Sequence, residues 1–130
     1  VIVPGPVLRF AVLPGRDSAN PFEGWSPEGL SMRVAHLESR RRSPHRHPFS
    51  QEAIYVVSGR GALWYEGLRH RLEAGDSALI ERGAVHAIIP DRGSSMRVVC
   101  FFPHSDLEAN IEELDEIVIV DDDKTEGNAE

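Results

Sequence analysis

Lysine is absent from the first 123 residues, and cysteine occurs once in 130. The lone Cys100 excludes an internal disulfide and fits a reducing cytoplasm, the compartment expected for this chain. No apolar run approaches the roughly 18–20 residues that cross a bilayer as a helix, so no membrane partner is expected. The stretch Val1–Pro6 lacks the basic region and long apolar segment of a secretory signal. The start at Val1, with no methionine, leaves open a trimmed chain or a piece of a larger polypeptide. No basic stripe, finger spacing or helix-turn-helix pattern is present, so nucleic acid is not expected as a partner. Arg40, Arg41 and Arg42 form the one basic cluster and read as a solvated rim. Internal repeats are lacking as well.

What is present divides unevenly. Residues 1–104 carry 13 arginines against ten acids, a charge of +3, whereas residues 105–130 carry eleven acids and one lysine, a charge of −10. Hydrophobic residues at 41% and charged residues at 27% suit one globular domain with a single core. The boundaries read as a Pro/Gly-rich arm over 1–30, a body over 31–104 and an acidic extension over 105–130.

The body reads as short strands divided by turn residues: Ser31–Leu37, Ala53–Val57, Ala62–Tyr65, Arg69–Leu72, Ser77–Ile80, Val85–Ile89 and Met96–Phe102. That rhythm predicts an all-β sandwich or barrel, and no segment there has a competing helical period. The arm adds one strand over Val7–Leu13. Ser105 and Glu108 resemble a capping box opening a short helix to about Leu114, Ile117–Val120 reads as an edge or exchanged strand, and the last ten residues read as disordered.

The chemistry concentrates in three histidines and a glutamate. His45 and His47, two apart, share a face if they lie on a strand. Glu52 follows five residues later, and His86 lies on another predicted strand. If these strands face each other across a barrel, three imidazoles and one carboxylate converge. Such a set suits one divalent ion per chain: imidazole favours Fe, Ni, Cu or Zn, and the carboxylate also admits Mn. Four protein ligands leave an octahedral ion two open positions, while they nearly close a tetrahedral zinc site.

The pattern His45-x-His47-x4-Glu52-x6-Gly59 resembles the first motif of the cupin family at every ligand position and at its closing glycine. Gly75-x5-Glu81-x-Gly83-x2-His86-x3-Pro90 resembles the second, with Glu81 where proline is usual and Pro90 where asparagine is usual. The resemblance implies a double-stranded jelly-roll β-barrel whose metal ligands are His45, His47, Glu52 and His86. It also implies a homodimer, since cupin barrels pair through outer sheet faces and exchange terminal strands.

Function follows from that implied metal. The leading expectation is a dioxygenase-type oxidoreductase acting on a small, carboxylated molecule, with Glu52 as the catalytic carboxylate. The alternative is a non-redox isomerase, lyase or cyclase using the metal as a Lewis acid. A non-catalytic small-molecule or sensor module is a third reading; sensor cupins usually carry a DNA-binding helical domain, for which the residues after 104 are too few and too acidic. The Arg-rich, Lys-poor composition resembles that of high-GC bacteria, where small cupins serve as tailoring enzymes of secondary metabolism.

Around the ligands, Phe49 and Gln51 are candidate substrate contacts. His36 joins them if its ring, in register with Met32 and Val34, faces the interior. Arg33 and Arg97 are expected to point outward, Tyr55 to face away from the metal, and only one of Trp64 and Tyr65 to face inward. Cys100 reads as a small buried hydrophobe. His70 and His104 read as solvated.

Overall fold

A computed structural model describes residues 1–13, 15–38 and 43–119. The basic cluster Arg40–Arg42, Val120 and the last ten residues lie outside the described residues. Eleven strands are described, with one 3-10 turn at Gly5–Val7 and no α-helix among the described residues: β1 Ala11–Leu13, β2 Arg16–Ala19, β3 Ser31–Glu38, β4 His45–Arg46, β5 Glu52–Ser58, β6 Arg60–Tyr65, β7 Leu68–Glu73, β8 Ser77–Ile80, β9 His86–Pro90, β10 Ser95–Phe102 and β11 Glu112–Glu113. They form a six-stranded sheet, β1-β2-β3-β10-β5-β8, and a five-stranded sheet, β11-β4-β9-β6-β7, antiparallel throughout the described pairings. This is the jelly-roll arrangement of an all-β chain.

Alternation builds the core. Leu37, Ile54, Val56, Ile80, Met96, Val98 and Phe102 point from the six-stranded sheet onto Leu63, Leu72 and Ile88 of the other. Strand β9 is buried on both faces. Its His86 and Ile88 look inward, while Ala87 and Ile89 are covered from outside by Trp64 and Ile119. Trp64 therefore faces out under the C-terminal segment, and Tyr65 packs on the inner core. Gly59, at φ +85°, turns β5 into β6 where no side chain fits: a Cβ there would strike the Ser95 carbonyl and lie 2.9 Å from Met96 Cα.

Three expectations are corrected. The arm holds two strands; β2, Arg-Asp-Ser-Ala, carries no β-branched or aromatic residue and so gives no sequence signal. The helix from Ser105 is absent: one turn forms, with Asp106, not Ser105, accepting the Ala109 N–H at Oδ1 (3.0 Å) and the Asn110 N–H at its carbonyl (3.2 Å). It stops because Asn110 is drawn into the protein and the chain then extends to pair Glu112 with Arg46 and Glu113 with His45. Finally, Arg33 lies on the inward face of β3 with Ala35 and Leu37, so His36 lies on the outward face, where it packs against Phe10 at 4.7 Å between ring centroids.

Candidate metal centre

His45 and His86 are direct cross-strand partners on β4 and β9, which brings their rings to 4.5 Å. His47 lies just past β4, held there by the Gly83 N–H donating to its carbonyl (2.9 Å). Its ring centroid is 5.0 Å from that of His45 and 5.1 Å from that of His86. Glu52 opens β5 in the facing sheet and reaches across, its Oε1 lying 3.0 Å from His47 Nε2 and 2.9 Å from His86 Nε2. One ring nitrogen from each histidine lies within 4.8 Å of the others, and all four side chains are buried.

The proton positions follow from the outer contacts. His47 Nδ1 is 2.7 Å from the Asn110 carbonyl, and His86 Nδ1 is 2.9 Å from the Ala84 carbonyl. A carbonyl can only accept, so each Nδ1 carries a hydrogen, and the neutral form of each ring turns a bare Nε2 inward. Those lone pairs meet a carboxylate oxygen, which is also an acceptor. Acceptors converging in a buried space require a cation among them, either an extra proton or a metal ion. Metal–ligand bonds of about 2.1 Å at right angles place neighbouring donor atoms about 3.0 Å apart, which matches the 3.0 and 2.9 Å from Glu52 Oε1 to His47 Nε2 and His86 Nε2. The residues therefore fit a divalent ion, and the carbonyl-anchored rings are the outer support such ligands need.

Where the cation is a proton on the rings, burial acts to raise the Glu52 pKa, but hydrogen bonding and charge from His47 and His86 prevail and hold the carboxyl well below the usual carboxylate range. Cys100, on the neighbouring β10, has its thiol pushed well up by burial and by the Glu52 carboxylate. Burial also lowers the Arg33 guanidinium, which lies over the Phe102 ring at 5.7 Å.

Asn110, fully buried, holds this arrangement from outside. Besides its carbonyl on His47, its Oδ1 accepts the Phe49 N–H (2.8 Å) and its Nδ2 donates to Ser50 Oγ (2.8 Å). One residue of the C-terminal segment thus fixes a ligand ring and the loop leading to Glu52. Charge seats the segment: Glu112 pairs with Arg46 and Glu113 with Arg16, both at 2.9 Å.

The other expected contacts do not reach the histidines. Gln51 alternates with the inward Ser50 and Glu52, so it points out. Phe49 is 54% exposed and stacks on His104 at 5.4 Å. Both line a surface hollow with Glu81 and Arg82, and His36 lies on the outer face of β3. The cavity that does reach the ligands is an inner chamber of about 20 Å³, lined by His45, Glu52, His86, Cys100, Arg16 and Arg33. Arg16 and Arg33 also line a vestibule of about 260 Å³ between the N-terminal arm and residues 107–113. Sequence reasoning missed Arg16 and Asn110 altogether. Arg33 shares its register with Ala35 and Leu37, a signal that ties it to their face of β3 without saying which face is inward.

Comparisons with known proteins agree with this geometry. The family model described as Cupin domain matches residues 33–102. A protein of Aquifex aeolicus (strain VF5) is 35% identical over 63 residues, 48% of this chain and 52% of its own, so the chain spans about half the length of that curated relative. Among solved structures, the Streptomyces nucleoside dehydratase Pac13 superposes with a TM-score of 0.73 at 15% identity, covering 88% of this chain and 91% of its own. The polyketide cyclase RemF from Streptomyces resistomycificus gives 0.70 at 16%, covering 82% and 80%. Oxalate decarboxylase from Bacillus subtilis gives 0.70 at 18%, covering 84% of this chain and 30% of its own.

Proposed function

We propose, from the premise that the chain belongs to the cupin family, that it is a metal-dependent enzyme acting on a small molecule by non-redox, Lewis-acid chemistry of the lyase or cyclase kind. The observation that carries this is the convergence of the Nε2 atoms of His47 and His86 on the Glu52 carboxylate, beside His45, in a chamber that shares Arg16 and Arg33 with a vestibule. His45, His47, Glu52 and His86 would hold the ion. A divalent ion there supplies polarisation of a substrate carbonyl or hydroxyl oxygen. Glu52, with its Oε1 against His47 Nε2 and His86 Nε2, would carry charge and position the ion rather than move a proton. Asn110 and Ala84 keep the two rings aimed. The choice of non-redox chemistry is supported by the two single-barrel likenesses of matching size, a dehydratase and a cyclase.

A dioxygenase is the second reading, favoured by the number of ligands: four protein donors leave an octahedral ion two positions for substrate and dioxygen. Untagged protein loaded in turn with Fe²⁺, Mn²⁺, Ni²⁺ and Zn²⁺ is to be assayed against small hydroxy and keto acids for product and for oxygen uptake. Turnover without oxygen uptake supports the lyase or cyclase reading. Oxygen consumed in step with product transfers the assignment to the dioxygenase. Failure to bind any of the four ions removes both.

A homodimer belongs to the same proposal, supported by Tyr55, Val57, Leu79 and Phe101 exposed together on the outer face of the six-stranded sheet. A solution mass of 14.4 kDa, that of one chain, would contradict it. Among the described residues no helix is long and apolar enough to cross a membrane, and we propose a cytoplasmic location on the single reduced Cys100.

A further inference from the structure

Arg33 is 5% exposed, yet its Nε meets no hydrogen-bond acceptor among the described residues. An arginine carries its charge at any pH a protein meets, and here the guanidinium faces the Phe102 ring at 5.7 Å but no hydrogen-bonded counter-charge, an arrangement that burial makes costly. The nearby carboxylates are committed elsewhere. Glu52 belongs to the histidine cluster, and Glu113 is 2.9 Å from Arg16. Those two arginines and two glutamates sum to zero, so an ion of charge two on the ligands leaves the chamber with two uncompensated positive charges. Arg33 lines both the chamber at the histidines and the vestibule.

We propose that Arg33 is the subsite for the carboxylate of a small organic acid, which enters from the vestibule and presents its neighbouring oxygen toward the histidine cluster. The guanidinium is planar and forked, the shape that holds a carboxylate through two parallel hydrogen bonds. The chamber, about 20 Å³, has room for little beyond one water-sized group. The rest of the acid therefore occupies the vestibule, about 260 Å³. That volume lies below the roughly 300–1,000 Å³ of drug-sized ligand sites, so the acid is small. Of the vestibule's other charges, Arg16 is paired with Glu113 at 2.9 Å, and Arg9, Glu23 and Glu108 lie outside the chamber, which leaves the carboxylate's recognition to Arg33.

The subsite deepens the metal-centre reading and rests on it, so the test separates the two. Untagged protein is loaded with Mn²⁺, and its binding of glycolate and of the uncharged glycolamide is measured by calorimetry. The ion alone favours an anion, so the decisive quantity is what Arg33→Met does to each ligand. Glycolate is expected to weaken at least tenfold and glycolamide less than twofold, with Mn²⁺ affinity unchanged within threefold. Glycolate binding unchanged within twofold in Arg33→Met overturns the subsite while leaving the metal centre intact. If Arg33→Met does not fold, Arg33→Lys, which keeps the charge and loses the fork, takes its place with an expected loss of at least threefold; a smaller loss overturns the proposal. If wild-type protein takes up no Mn²⁺ and none of Fe²⁺, Ni²⁺ and Zn²⁺ either, the metal reading fails by itself. The same comparison on metal-free protein then decides the subsite: weaker glycolate binding by Arg33→Met supports it, and equal binding overturns it.

Discussion

Replacing Asn110 with alanine tests whether the C-terminal segment is part of the metal centre. The side chain is fully buried and makes two hydrogen bonds, accepting from Phe49 N–H and donating to Ser50 Oγ, each at 2.8 Å. Ser50 Oγ already donates to the Gln51 carbonyl, so its loss is an acceptor without a donor. The Phe49 N–H loses its only described acceptor. Each net hydrogen bond is worth ~1 kcal/mol, and the part-buried Phe49 N–H left without that acceptor adds up to ~1 kcal/mol. The expected loss of stability is thus about 2–3 kcal/mol, or roughly 6–12 °C in Tm for a domain of this size. The backbone carbonyl on His47 survives in Asn110→Ala, but the turn that aims it is loosened. Metal affinity is therefore expected to fall roughly 10–100-fold, the usual effect of losing a ligand's outer support. The assays are thermal unfolding of metal-free protein and Mn²⁺ titration of the variant. Metal affinity within twofold of wild type, with the stability loss present, would show that the segment is structural packing and not support for His47. No change in either would refute the hydrogen-bond account.

Three further outcomes follow from other parts of the fold. Gly59→Ala places a Cβ against the Ser95 carbonyl at φ +85° and is expected to cost at least about 3 kcal/mol, read by denaturant unfolding; Gly67→Ala, also at positive φ but with open space around it, is expected to cost about 1–2 kcal/mol. Cys100, buried with its thiol pushed up, is expected to stay unreactive to aromatic disulfide reagents in native protein at pH 8 and to give one equivalent on unfolding; rapid native labelling would contradict its placement. Asp91 is held below its ordinary pKa first by hydrogen bonds from Arg71, at 2.8 and 3.0 Å. Its folded pKa is depressed, so its contribution is full above the unfolded pKa near 3.8 and fades as pH falls through the lower, folded value. The pair is partly exposed, so Asp91→Asn is expected to remove only about 0.5–1 kcal/mol at neutral pH, shrinking toward zero in acid; a difference that grows in acid would reverse the sign.

How much was legible depends on how local the determinants are. His45, His47, Glu52 and His86 were readable because a two-residue spacing in extended chain and a glycine-closed turn are local patterns, and the cross-strand meeting of His45 with His86 follows once the strands pair. The strands of the body were readable from alternation. Arg33 was not, because β3 is at least half-buried on both faces: Met32, Val34 and His36 alternate with Arg33, Ala35 and Leu37, and either set could be the inner one. Strand β2 was hidden because what keeps Arg-Asp-Ser-Ala extended is pairing with β3 and the ion pair to Glu113, both supplied from far along the chain. Asn110 sits in a segment whose local signals favour a helix, and its role depends on contacts about 60 residues back, at His47, Phe49 and Ser50. The charge imbalance of the sequence proves partly structural, since Glu112 and Glu113 dock the acidic segment onto body arginines Arg46 and Arg16.

Whether the inward Nε2 atoms and the Glu52 carboxylate hold one ion is read by equilibrium metal binding to untagged wild-type protein alongside folded His47→Ala and His86→Ala variants, with metal per chain measured by mass spectrometry after removal of free ion. One equivalent of divalent metal per wild-type chain is expected, and less than a tenth of an equivalent in either variant under the same conditions. Equal metal content in wild type and both variants would contradict that site.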